Sequence, residues 1–143
     1  MKFGAGILPI SKKNGIFRLL VSKRSKNLTF PGEWAIIGGG SEAGEHPLET
    51  AKREFKEETQ YEGGFSGIEL LKTQQKDKKN PLYYVYICKI PYFLPVLDHE
   101  NEEIRWLTLK KTRNIEPKHF GLTLLLSDKT SMKKIQRYLS DDK

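Results

Sequence analysis

The sequence predicts an α/β fold, a mixed β-sheet covered by helices, and three observations carry that expectation. Short runs rich in β-branched and aromatic residues recur before, between and after two segments of helical periodicity, the pattern of a sandwich. A chain of 143 residues with 37% apolar and 10% aromatic residues can bury one core, whereas two would each sit near the lower size limit. No period of about 20–50 residues repeats, so solenoids and arrays are excluded. Residues 1–143 are therefore read as a single domain.

The elements follow in order. Lys2 to Ile10 and Ile16 to Lys23 read as two strands joined by Ser11-Lys-Lys-Asn-Gly15, whose Asn-Gly pair is a strong hairpin signal. Ser25 to Gly32 is a polar loop. Trp34 to Ile37 is a short apolar strand that runs into Gly38-Gly39-Gly40, read as a glycine loop. From His46 to Thr59 the pattern turns helical: Pro47 suits a first turn, and Leu48, Ala51 and Phe55 recur at i, i+3 and i+7. After Gly63-Gly64 come a strand from Phe65 to Thr73, a basic loop from Gln74 to Pro81, and a strand from Leu82 to Ile90. Pro91 to Asn101 is irregular, Glu103 to Leu109 reads as a short strand, and a final helix spans about Thr130 to Leu139.

Composition narrows the function classes. Twenty-five Lys and Arg against 18 Asp and Glu give a formal charge of +7, which favours anionic partners such as phosphates and nucleotides, although a solvated basic surface gives the same balance. No apolar stretch approaches the roughly 18 residues of a membrane span, and Pro9 with Ser11-Lys-Lys-Asn14 spoils a signal peptide. The single cysteine, Cys88, excludes an internal disulfide and fits a reducing, cytoplasmic setting. Its aromatic, β-branched surroundings read as core.

The chemistry concentrates between residues 38 and 58. On a helix at about 100° per residue, Glu54, Glu57 and Glu58 fall at i, i+3 and i+4, beside the apolar sector of Leu48, Ala51 and Phe55. Like charges at this spacing repel, and a divalent cation would relieve the repulsion. Oxygen ligands suit Mg²⁺ or Mn²⁺, and no His or Cys cluster suggests zinc. The alternative is a solvated acidic patch paired with Lys52, Arg53 and Lys56. Gly38, Gly39 and Gly40 just upstream favour the ligand reading, because glycines let a backbone approach phosphate oxygens closely.

Together these residues resemble the Nudix box, Gly-x5-Glu-x7-Arg-Glu-U-x-Glu-Glu-x-Gly-U with U a bulky apolar residue. Gly39, Glu45, Arg53, Glu54, Phe55, Glu57, Glu58 and Tyr61 stand on it in register, while Gln60 replaces the family glycine. A glycine just past a helix end usually takes the left-handed cap, so Gln60 implies either a local cost of about 1 kcal/mol or a helix that runs on to Gly63-Gly64. Pro31-Gly-x-Trp34 and Glu103-Ile-Arg-Trp106 also resemble family neighbours of the box.

The resemblance implies a Nudix-type α/β/α sandwich and a Mg²⁺- or Mn²⁺-dependent hydrolase that cleaves the pyrophosphate bond of a nucleoside diphosphate linked to another group. It implies Glu54, Glu57 and Glu58 as metal-binding and catalytic carboxylates, with Glu45 and Arg53 holding loop and helix together. A further glutamate from a later loop serves some members, which points to Glu100 and Glu103. Gly38, Gly39, Gly40 and Arg24 are the expected substrate contacts. ADP-ribose, dinucleoside polyphosphates, nucleotide sugars, nucleoside triphosphates and capped RNA are all open as substrates, and a homodimer is open as the assembly. The alternative function is a non-catalytic nucleotide-sensing or partner-binding module on the same fold.

Weaker signals are ambiguous one by one. Lys23 ends the second strand and could meet a phosphate or plain solvent. Phe30, Trp34, Tyr84 and Tyr86 could stack on a base or pack in the core; Tyr83 shares the other strand face with Val85 and Ile87. His46, His99 and His119 are scattered singly, which suits solvated or capping roles, with His119 also a catalytic candidate if its loop folds over the site. Lys129, Lys133, Lys134 and Arg137 read as the solvated face of the last helix.

Overall fold

Asn14 and Gly15 both take positive φ, 52° and 79°, as a two-residue hairpin turn requires. They join β1 (Gly4–Lys13) to β2 (Ile16–Arg24) in a computed structural model that describes residues 2–141. β1 is the organising strand. Its second half pairs antiparallel with β2, from Ile10↔Leu19 to Lys13↔Ile16. Its first half pairs antiparallel with β4 (Ile37–Gly40), from Gly4↔Gly40 to Ile7↔Ile37. Along its other edge it runs parallel to β6 (Tyr83–Lys89). β5 (Glu69–Gln74) extends the sheet beyond β6, while β3 (Trp34–Ala35) and β7 (Asn101–Leu107) both add to β2. The result is the mixed sheet expected, with seven strands where the sequence reads six.

Two core layers flank it. One face carries Ala5, Ile7, Leu20, Ile37, Tyr86 and Cys88 against Ala51 and Phe55 of α1 (Pro47–Thr59). The other carries Leu8, Ile10, Leu19, Val21, Val85 and Ile87 against Leu122, Leu125, Met132 and Ile135. These last four come from α3 (Phe120–Ser127) and α4 (Lys129–Tyr138), which follow α2 (Leu109–Asn114). Tyr84 and Tyr86 thus face one layer and Tyr83 the other, as strand alternation requires. Cys88 is fully buried, and burial pushes its thiol up to about 11.

Several expected boundaries need correction. The run from Trp34 to Ile37 is two strands, because the chain leaves β2 at Ala35 and joins β1 at Ile37. The three glycines form no loop; they are strand β4 itself. A Cβ at Gly38 would run into the Tyr83 hydroxyl and the β1 backbone, so glycine is needed there for close packing between strands. The strand expected from Glu103 to Leu109 begins at Asn101 and stops at Leu107, where Thr108 caps α2 by accepting from the Lys111 N–H. α2 and α3 went unread. Leu122 and Leu124 to Leu126 make α3 apolar almost all round, so it carries no amphipathic period.

The segment between α2 and α3 returns to the sheet edge. Trp34 N–H donates to the Pro117 carbonyl and His119 N–H to the Trp34 carbonyl, both at 2.9 Å. This strand-like clasp brings His119 and α3 beside β3 and β4.

α1 stops at Thr59 and does not continue to Gly63-Gly64. Gln60 itself takes the left-handed cap, φ 62° and ψ 23°, and donates its N–H to the Lys56 carbonyl. A side chain in this conformation costs roughly 1–2 kcal/mol, partly offset by the greater freedom glycine would have when unfolded. Gln60→Gly should therefore stabilise the fold by about 0.5–1 kcal/mol, a rise of roughly 2–4 °C in Tm by scanning calorimetry; an unchanged or lower Tm would contradict a strained cap.

Candidate active site

Arg53 lies on the α1 face that meets the end of β4, and it uses its whole guanidinium. Nε donates to Glu45 Oε2 at 2.6 Å and Nη2 to Glu45 Oε1 at 3.0 Å, a bidentate pair. Nη2 also reaches the Gly40 carbonyl at 2.9 Å, and Nη1 reaches Glu54 Oε2 at 2.9 Å and Glu57 at 3.1 and 3.2 Å. Glu45 further accepts from the Glu42 N–H and the Thr50 hydroxyl, both at 2.8 Å. The Arg53 hydrogen bonds, helped by these donors, hold the Glu45 carboxyl down to about 2. One arginine thereby ties strand end, loop and helix together.

The carboxylates divide. Glu54, Glu58 and Glu100 each bring an oxygen to within 4.8 Å of the others. Glu57 is outside that cluster, 55% exposed in its side chain and held by Arg53. Glu103 is also outside it, paired with Lys23 at 3.9 Å and with Arg105. Glu58 is 4% exposed. Its Oε1 accepts from Asn101 Nδ2 at 2.9 Å, while its Oε2 is buried with no hydrogen-bond partner. Asn101 also donates to Asp98 Oδ1 at 3.0 Å, and Asp98 Oδ1 accepts the Glu100 N–H at 3.0 Å. Sequence reasoning missed Asn101; a lone Asn closing an acidic loop carries no periodic or spacing signal.

The orphaned oxygen and the all-carboxylate donor set fit a hard divalent cation, which Glu54, Glu58 and Glu100 could hold together. Without one, burial, followed by the nearby carboxylates of Glu54, Glu100 and Asp98, pushes Glu58 up to about 9 against the pull of its Asn101 bond. Burial likewise raises Glu54. Gly39 lies directly on this cluster, since a Cβ there would sit 2.5 Å from the Glu54 carboxylate.

Beside it opens a cleft of about 410 Å³, lined among others by Gly38, Gly39, Arg24, Tyr83, Gln74 and the aromatic group Phe30, His119 and Phe120. Gly40 is not part of its wall. Arg24 is fixed by bonds from Nε to the Thr29 carbonyl at 2.7 Å and from Nη2 to Thr29 Oγ1 at 3.3 Å. Lys23 turns instead toward Glu102 and Glu103. Of the expected aromatics, Phe30 reaches the cleft, whereas Trp34, Tyr84 and Tyr86 pack in the core layers. His46 and His119 cap α1 and α3. The sequence places Gln74 in the basic loop, whereas it ends β5, and Phe120 carries no sequence signal.

The NUDIX domain profile matches residues 2–126. The nucleoside triphosphatase NudI of Enterobacter sp. (strain 638) is 26% identical over 121 residues, covering 77% of this chain and 85% of that protein. NudI of Escherichia coli (strain K12 / DH10B) is 32% identical over 89 residues, covering 57% of this chain and 62% of that one, so the match spans less than two thirds of the E. coli protein. Among solved structures, the NUDIX domain of Shewanella oneidensis NrtR complexed with ADP ribose superposes with a TM-score of 0.75 at 18% identity, covering 93% of this chain and 87% of that one. A C. elegans Ap4A hydrolase binary complex gives 0.72 at 20% identity, covering 95% and 98%. At these identities the structural likeness shows the fold.

Glu58 binds its proton more tightly folded than unfolded, so its contribution to stability is fully present below its ordinary value of 4.5 and is lost as pH rises toward 9. Urea unfolding in EDTA should then show E58Q gaining on the parent protein more at pH 8 than at pH 5. A gain equal at both pH values would contradict the buried-carboxylate account.

Proposed function

The chain belongs to the NUDIX domain family and is a pyrophosphohydrolase, and from that premise we propose that it hydrolyses a phosphoanhydride bond of nucleoside triphosphates and related nucleotides with Mg²⁺ or Mn²⁺. The observation that carries this reading is the convergence of Glu54, Glu58 and Glu100 beside Gly39, at the edge of a cleft of nucleotide-accepting size. The NudI relatives of Enterobacter sp. and Escherichia coli are nucleoside triphosphatases, which supports triphosphates as the first substrates to test.

Glu54 and Glu58 would hold the ion, while Glu57, outside their cluster, stays fastened to Arg53 at the same helix edge. When bound, the cation neutralises charge on phosphate oxygens and lowers the pKa of a bound water. Glu100, arriving from the loop before β7, accepts the proton of the attacking water. The water oxygen bonds to phosphorus, the anhydride P–O bond breaks, and its electron pair leaves with the departing phosphate. Glu45 and Arg53 act by position, keeping Glu54 aimed at the reaction centre. Glu103, held by Lys23 and Arg105 outside the cluster, has no part in this step. Gly38, Gly39 and Arg24, which line the cleft, would border the phosphates, whereas Gly40 lies outside its wall.

A ³¹P NMR screen of nucleoside triphosphates, dinucleoside polyphosphates and ADP-ribose tests this directly. Turnover should require Mg²⁺ or Mn²⁺, stop in EDTA, and fall at least about 10²-fold in E54Q and in E100Q, the scale of losing a major catalytic group. Turnover that survives EDTA, or an E54Q variant as fast as the parent, would remove the proposal. RNA as substrate would add a steep salt dependence that a mononucleotide lacks.

A further inference from the structure

We propose that the aromatic cleft is a nucleobase seat, in which Gln74 Oε1 accepts from and His119 Nε2–H donates to one edge of the base, with the backbone N–H and carbonyl of Gly121 setting the two polarities. This rests on the reading of the substrate as a nucleotide and specifies how its base is held.

Gln74 ends β5 and is 6% exposed, and it lines the cleft. Its Nε2 donates to the Gly121 carbonyl at 3.2 Å, which leaves Oε1 as the acceptor. The Gly121 N–H donates to His119 Nδ1 at 3.1 Å, so that nitrogen carries no proton and the neutral ring bears its hydrogen on Nε2. Burial, then the cations Arg24 and Lys76, pull His119 down to about 4, so the ring is neutral at physiological pH. Neither Gln74 Oε1 nor His119 Nε2 has a hydrogen-bond partner among the described residues. The backbone carbonyl and N–H of one residue, Gly121, therefore orient one acceptor and one donor beside the same cleft. Adenine, guanine, cytosine and uracil each carry an adjacent acceptor and N–H donor on the pairing edge, whereas an abasic sugar phosphate or an isoprenoid diphosphate does not.

The walls suit a flat ring. His119 lies 4.3 Å from Phe120 and 5.0 Å from Phe30, centroid to centroid. Phe30 is 42% exposed and takes φ 53°, a left-handed conformation costly for a bulky residue, to keep its ring on this cluster. A Cβ at Gly121 would lie 3.3 Å from His119 Nδ1, a tight approach, and 3.4 Å from Gln74 Oε1, an ordinary contact. Alanine is otherwise welcome in a helix, so Gly121→Ala presses on the His119 ring while favouring the fold.

The test compares KM for nucleoside triphosphates with KM for ribose 5′-triphosphate, which lacks a base. The parent protein should prefer the nucleotide by at least about 10-fold, because an unfilled site leaves buried polar groups unpaired. In Q74M, H119F and G121A that preference should collapse below about 3-fold through KM, with Lys133→Gln on the exposed side of α4 as the control. Equal preference in parent and variants would overturn the seat, as would a variant KM that rises alike for both substrates. Calorimetric titration of the four nucleoside monophosphates into protein in EDTA separates this from the hydrolase reading. Saturable binding that Q74M and H119F weaken at least about 5-fold supports the seat even if nothing is hydrolysed. No saturable binding to the parent protein overturns it, whatever the activity.

Discussion

The Arg53 guanidinium is the constraint on which the site depends. Its donors are shared among a strand end, a loop carboxylate and two helix carboxylates: Gly40, Glu45, Glu54 and Glu57. A planar fork satisfies such a set in one arrangement, so the end of β4 is tied to α1 by bonding geometry as well as by the buried contacts of Ala51 and Phe55 with the sheet. A lysine would keep the charge and lose the planar fork. The same cation also tempers the repulsion that helix spacing imposes on Glu54 and Glu57. Glu58 has no such counter-charge and is the group left buried with an unpartnered oxygen, a local violation of polar satisfaction of the kind that marks functional sites.

The glycines and Gln60 show two opposite solutions to crowding. At Gly38 and Gly39 the absence of a side chain is exploited, letting β4 lie against Tyr83, β1 and the Glu54 carboxylate at once. At Gln60 a side chain is tolerated where its absence would be easier, because the helix must stop there for Tyr61 to turn inward onto Phe55 and Phe93. The burial of Tyr61 and the close ring contacts around it outweigh a backbone penalty of roughly 1–2 kcal/mol.

The sheet and α1 were readable in the sequence because each leaves a local signal: apolar, β-branched and aromatic runs bounded by turn residues in β1, β2 and β6, and i, i+3, i+7 spacing in α1. The box residues were readable because they are close in sequence and fixed in spacing. What escaped has no period or depends on distant pairing. α3 is apolar on nearly every side, so no moment marks it. The split at Ile36 follows from which neighbour each half finds. Glu100 joined the cluster and Glu103 did not because Glu103, paired opposite Lys23, is drawn to that cation and to Arg105. Asn101 and Gln74 act through partners 43 and 47 residues away, a separation that single-sequence reasoning cannot bridge.

The parallel pairing of β1 with β6 has a consequence for how the chain is made. The strand at the centre of the sheet emerges from the ribosome well before its parallel partner, which follows some eighty residues later, and the helices that cover the second face come later still. Until α3 and α4 are synthesised, Leu8, Ile10, Leu19 and Val21 have nothing to pack against on that side. A nascent chain at this stage presents an apolar sheet surface and a low-β-barrier edge to its surroundings, the state in which chaperone capture competes with aggregation. The burden of protecting the young polypeptide thus falls on the elements farthest in sequence from the chemistry.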